Sequence, residues 1–261
     1  MLHKSKIIIT FLLGFLLFSC AEDNNNDLQE NQLKTISDSS KNATEYCNTI
    51  ADSKNPYNYV GEIHNEILNE FVLNYSGKRL SVDEIVSIVE GLANENPRFL
   101  SIEGEETPVD PSDILRGIDD FGNNFHNIIN DLRLSSRAKN DLKVLIDYLF
   151  DSAYSEREPN FDTVQRDLIR FENNALGNKD YTREERKTIL SAISTARYST
   201  CYWYNYYGSV RVADNSLAKK RKWWQWLIVG AADVGGTMAG TIATGVTASS
   251  TAYTYTDPDN K

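Results

Sequence analysis

The sequence predicts an all-α protein, an irregular helical bundle of six or seven helices behind a disordered N-terminal tether. Three observations predict it. Apolar residues recur at three- and four-residue spacing through most of the chain, the period of a helix buried along one face. Capping signals of the form Ser/Thr-x-x-Glu head two of these runs, at Ser81 with Glu84 and at Thr182 with Glu185. Two-residue alternation is confined to the short "TAYTYT" near the end, and one strand makes no sheet.

The elements follow in order. Residues 20–54 are rich in Asn, Asp, Glu and Ser. They offer too few apolar groups to offset the entropy of ordering, so this stretch reads as a flexible tether. After Pro56, Val60, Ile63, Ile67, Leu68 and Phe71 line one helical face. The next run starts at Ser81, buries Ile85, Ile88, Val89 and Leu92, and stops at Pro97. "RFLSIEGEETPVDP" reads as a short strand or an extended loop. A helix from Ser112 carries Ile114, Leu115, Ile118, Phe121, Phe125, Ile128, Ile129 and Leu132 on its face, and the one after it carries Leu142, Leu145, Ile146 and Leu149. "NFDTVQRDLIRFENNALGN" ends at Gly177 as a C-cap. The helix from Thr182 ends at Gly208. The expected division is 1–19 signal peptide, 20–54 tether, 55–208 helical domain, and 209–261 a basic and aromatic linker with a Gly-rich helical segment.

The N-terminus carries an address. "MLHKSKIIITFLLGFLLFSC" has a short basic start and an uncharged run from Ile7 to Phe18. This is the layout of a secretory signal peptide, and the run is too short for a comfortable membrane span. Leu17-Phe18-Ser19-Cys20 resembles the lipobox of bacterial lipoproteins, although Phe18 departs from the small residue usual at its position. The resemblance covers only residues 1–20. It implies cleavage before Cys20 and acylation of its thiol by palmitate-type chains, which makes the membrane a partner through a lipid anchor. Several chains on one residue hold a protein firmly where one chain does not. Ala21 after the cysteine, in place of Asp, leans by the same family rule toward the outer membrane or cell surface over the inner membrane. The run "AEDNNND" is similar to the export signals of surface lipoproteins in Bacteroidota. The plainer reading is a cleaved signal with an incidental cysteine.

Charge and cysteines narrow the function. The 261 residues carry a net charge of −10, which repels a phosphate backbone and argues against nucleic-acid binding. The concentrated basic run is Lys219-Lys220-Arg221-Lys222. If Cys20 is acylated, Cys47 and Cys201 remain of the three cysteines. Outside the cytoplasm they can form a disulfide, and the alternative is two buried thiols.

Catalytic motifs are sought and not found. Glu62, Glu66 and Glu70 lie four apart on one helix, with His64 between them. Glu and His on a helix can hold metal, but neither Glu-x-x-His nor His-Glu-x-x-His occurs. A solvated acidic face is the expectation, with no metal and no cofactor. His126 sits beside Phe125 and reads as a partly buried structural group. No Gly-x-Ser-x-Gly elbow, phosphate loop or dinucleotide fingerprint is present. The expectation is therefore a binding or interaction protein with a protein partner in the cell envelope, not an enzyme. Metal-dependent catalysis is the weaker alternative.

Two segments could supply a surface. "YSTCYWYNYYGSVR" crowds aromatics with polar tips into two turns, which suits either the bundle centre or a half-wet interface. The candidate binding surface is Trp203, Tyr204, Tyr207, Trp223, Trp224 and Trp226. The second segment is "KKRKWWQWLIVGAADVGGTMAGTIATGVTASSTAYTYT". Its small residues, among them Gly235, Gly236, Ala239, Gly240 and Ala243, form a ribbon that resembles a glycine zipper and admits another helix closely. A membrane span is disfavoured by Asp233 and by a basic flank on the exported side. In composition the tail resembles bacteriocin-type antibacterial peptides, which makes a membrane-active protein the alternative function. The third reading is a helix, or a hairpin broken near Gly245, packed against the aromatic helix.

Overall fold

The computed structural model describes residues 46–47, 54–102, 109–112, 114, 121–213, 226–239 and 242–256. Among these residues there are nine α-helices and no strand, so the fold is all-α. In chain order they are α1 Asn58–Tyr75, α2 Val82–Glu95, α3 Pro97–Ile102, α4 Phe121–Asp131, α5 Ser136–Ala153, α6 Phe161–Gly177, α7 Arg183–Ala213, α8 Leu227–Ala239 and α9 Ile242–Thr256.

The helix starts follow from side-chain caps. Ser81 Oγ accepts from Glu84 N at 3.3 Å, and the Glu84 carboxylate accepts from Ser81 N at 2.7 Å, a reciprocal capping box that holds the carboxyl below its usual range. Ser135 caps α5 through the amide of Ala138, and Asn160 caps α6 through that of Thr163. Thr182 and Glu185 form the second box at the head of α7. Glu185 does more than its local pattern suggests. Its other oxygen accepts Ser135 N at 2.6 Å, so one buried carboxylate fastens the starts of α5 and α7 together. The amides of Thr182 and Ser135 bring its pKa from 4.5 down to about 2.

Several local expectations are corrected. Pro97–Ile102 is a helix, not a strand or loop, because the Asn96 side-chain oxygen Oδ1 accepts from the amides of both Arg98 and Phe99 and caps the start of the turn. Gly177 is the last residue of α6, and Asn178 caps the helix by donating to Ala175 O. Helix α7 runs through Gly208 to Ala213. The "TAYTYT" stretch is helical. In α9 the Thr247 hydroxyl donates to Ala243 O and the Thr251 hydroxyl to Thr247 O, so these two buried hydroxyls are absorbed by the helix's own backbone. Leu115 and Ile118 lie outside the described residues.

The chain arranges two layers. The inner one is α7 with the α8–α9 hairpin. From Ile189 to Trp203 every residue is buried, and so are nearly all of 226–236 and 242–254. A helix buried all round belongs at the centre of a bundle. Amphipathic helices surround this layer: α1 lies on α7 and α9, α2 on α9, α4 on α8, α5 on α7 and α8, and α6 on α7. The segment set apart by sequence as 209–261 therefore contributes its described helices to the same core as 55–208.

Small residues allow the hairpin to close. Helix α8 ends at Ala239 and α9 starts at Ile242, and Gly245 lies inside α9. A Cβ on Gly236 would stand 2.6 Å from Thr244 O, and one on Gly235 would strike the Phe125 ring of α4. Ala243 is buried, whereas Gly240 lies outside the described residues.

Two predictions follow from this packing. In an ordinary helix, replacing Gly with Ala stabilises by up to about 1 kcal/mol. Gly91→Ala in α2, with nothing within 4 Å, should behave so. Gly236→Ala should instead destabilise by about 1–3 kcal/mol through overpacking. Urea unfolding measures both, and a Gly236→Ala protein as stable as the parent would show that the helices do not meet there. The second concerns Glu185. A depressed carboxyl pKa adds stability above about 4.5 that is lost as pH falls toward 2. Glu185→Gln should lower stability at pH 7, and the deficit should shrink between pH 4.5 and 2. A deficit independent of pH would rule out the bridging carboxylate.

Candidate functional site

Asp233 is the only charged residue between Trp226 and Thr256. Helix α8 carries it into the centre of the bundle, where its exposure is 0 %. A buried carboxylate requires partners, and two neighbouring helices supply them. Ser199 of α7 donates its hydroxyl to Asp233 Oδ2. His64 of α1, also 0 % exposed, places Nε2 3.5 Å from the same oxygen.

Proton positions follow from the hydrogen bonds. Asn65 donates its amide nitrogen to Tyr198 O at 2.9 Å, which leaves Oδ1 as an acceptor turned toward His64 Nδ1 at 3.2 Å. The Nδ1 atom therefore carries a proton. The nitrogen facing Asp233 is then either a second N–H or a bare lone pair. A lone pair opposite a carboxylate oxygen is repulsive unless a proton lies between them.

Ser, His and Asp thus meet, but not in the order of nucleophilic catalysis. Ser199 is bonded to the acid, and all three side chains are buried. An activated serine is instead bonded to the imidazole. The sequence signal for His64 was present: it lies four residues after Val60 and four before Leu68, on the apolar face and not among Glu62, Glu66 and Glu70. Two of those glutamates hold Arg98, Glu62 at 2.6 Å and Glu66 as a close ion pair. His126 lies near the surface with Nε2 2.7 Å from Asp147. Among the described residues no group of three or more His, Cys, Asp or Glu could hold a metal ion.

A second buried pair ties α1, α6 and α7. Arg197 donates to Glu172 at 3.3 Å and to the Asn58 side chain, and Asn55 donates to Glu172 at 2.7 Å. One turn farther along α7, a disulfide joins Cys201 to Cys47, with Cα atoms 5.7 Å apart and a sequence separation of 154. In the chain-entropy picture a loop of that size is worth about 4–5 kcal/mol.

The aromatic residues of α7 divide. Trp203 and Trp226, expected on a binding surface, are each 1 % exposed. Trp203 is stacked 5.0 Å from Trp226 and 5.3 Å from Tyr253, and Tyr207 stacks on Trp226 at 4.4 Å. Stacking of Trp226, just before α8, against residues of α7 and α9 removes both indoles from solvent, the more favourable use of so much apolar area. Tyr204, half-buried, lies flat on Phe161 at 3.9 Å. Tyr198 is fully buried and donates to Glu62, and burial pushes its phenol pKa up. Cys20, Lys219–Lys222, Trp223 and Trp224 lie outside the described residues.

One groove opens on the outer face between α5, α6 and the start of α7. It encloses about 720 Å³, with Leu142, Phe171 and Ile193 in its lining and Asp141, Asn174 and Lys179 among its polar groups. Tyr181 donates to Asp141, and burial first, with that carboxylate second, pushes the phenol pKa up to about 12. No described helix is long and apolar enough to cross a membrane. No family model, curated protein or solved structure matches this chain.

Proposed function

We propose that this is an exported, lipid-anchored protein that works by binding a partner in the cell envelope. The observation that carries the reading is the groove between α5 and α6, where apolar floor and polar rim converge in the size range of ligand sites. The buried His64–Asp233–Ser199 set has no face open to a substrate, which favours binding over catalysis. The Cys47–Cys201 disulfide supports an oxidising compartment outside the cytoplasm. The lipobox-like Leu17–Cys20 supports an anchor at the outer membrane or cell surface.

The test has two arms. Palmitate labelling in the native host should mark the parent chain and not Cys20→Ser, and an unlabelled parent removes the anchor. A photo-crosslinker at Asn174 in the groove should capture a defined envelope component, whereas one at exposed Glu184 should not. Equal capture at both positions removes the groove as the binding site.

One observation favours a second reading, a membrane-active protein. The two helices with almost no charge are enclosed by amphipathic ones, an arrangement that would keep an insertable hairpin out of water. Under this reading the purified protein releases dye from liposomes once opened by acid or proteolysis. Intact liposomes under both treatments count against it.

A further inference from the structure

We propose that His64 and Asp233 hold one proton between them as a latch on the α8–α9 hairpin, and that either gain or loss of a proton loosens it. This goes beyond the proposed function and does not rest on it.

The geometry carries the inference. Asn65 fixes a proton on His64 Nδ1, because its own amide nitrogen is committed to Tyr198 O. The opposite nitrogen, Nε2, then faces Asp233 Oδ2 at 3.5 Å inside the bundle. Ser199 already donates to the same oxygen. With one proton between nitrogen and oxygen, the pair is neutral overall, as imidazolium with carboxylate or imidazole with carboxylic acid. With none, a lone pair confronts a buried anion. With two, a buried imidazolium faces an uncharged acid. Both of the latter leave net charge where water does not reach, which is strongly unfavourable.

Among the described residues no other charge is positioned to compensate. Around Asp233, α9 carries no charged residue and no titratable group except Tyr253 and Tyr255. The charged residues of α4 and α5, namely His126, Asp131, Arg137, Lys139, Asp141, Lys143, Asp147 and Asp151, are all at least partly exposed. On α7, Arg197 is committed to Glu172 and Asn58, Tyr198 donates to Glu62, and Cys201 is in the disulfide. Around His64, the acids of α2 (Asp83, Glu84, Glu90 and Glu95) are likewise at least partly exposed. The latch joins three helices: α1 through His64, α7 through Ser199 and α8 through Asp233. Its charge state therefore bears on whether the hairpin stays seated.

Hydrogen exchange of residues 227–256 in the full chain tests this, corrected for intrinsic exchange chemistry. In the parent, exchange should be slowest near pH 6.5 and at least tenfold faster at both pH 4.5 and pH 9.5. In the double variant His64→Gln with Asp233→Asn, which is neutral and of similar shape, it should vary less than threefold. A flat parent profile, or the same two limbs in the double variant, overturns the latch. Should the variant not fold, nitrogen shifts of labelled His64 in the unaltered chain decide. A proton on Nδ1 and one between Nε2 and Asp233 at pH 6.5 support the proposal, and a bare Nδ1 or a bare Nε2 opposite an ionised Asp233 overturns it.

Discussion

Removing a carboxylate from water is among the most unfavourable steps a fold can contain, and this bundle does so at its centre. Asp233 sits on a helix otherwise made of Leu, Ile, Val, Gly, Ala, Thr and Met. Its partners must come from other elements, and they come from α1 and α7. The requirement selects one placement of α8 against α1 and α7, because a shift of one residue along α8 would leave the acid facing hydrocarbon. Small residues then permit that placement. Gly236 admits the backbone of α9, and Gly235 admits the Phe125 ring. Electrostatics fixes the register and sterics allows the approach, so neither alone accounts for the buried hairpin.

Much of the outer layer was legible from sequence. The apolar faces of α1, α2, α5 and α6 are read directly from period, since an amphipathic helix shows only one side to the core. Both capping boxes form as their spacing implied. The inner layer was less legible for a physical reason. A helix buried all round has no polar face, so periodicity carries no information about its orientation. Hence sequence alone suggests a surface for Trp203 and Trp226, and α9, with its alternating Thr and Tyr, hints at a strand.

The polar contacts that link helices were the least legible. His64 lies on the apolar face by spacing, but nothing local announces that its partner is 169 residues away at Asp233. Arg98 falls in a stretch without clear periodicity, and it is what occupies Glu62 and Glu66. The spacing of Glu185 from Thr182 implies a cap for its own helix. Its second oxygen serves Ser135, 50 residues earlier, and that link emerges only in three dimensions. Local chemistry predicts local partners, and long-range partners depend on the packing that brings them together.

The disulfide has a mechanical consequence. Covalent connection at Cys47 leads straight to Cys201, midway along the longest helix, and bypasses α1 through α6. A pull applied upstream of residue 47 is delivered to the inner layer through two sulfur atoms. It does not peel α1 from the bundle one turn at a time. The outer helices hang within a closed loop that bears none of this load, so tension at the N-terminal end loads the most deeply buried helix first. Whatever lies upstream of Cys47 is in effect bolted to the keel of the molecule and not to its planking.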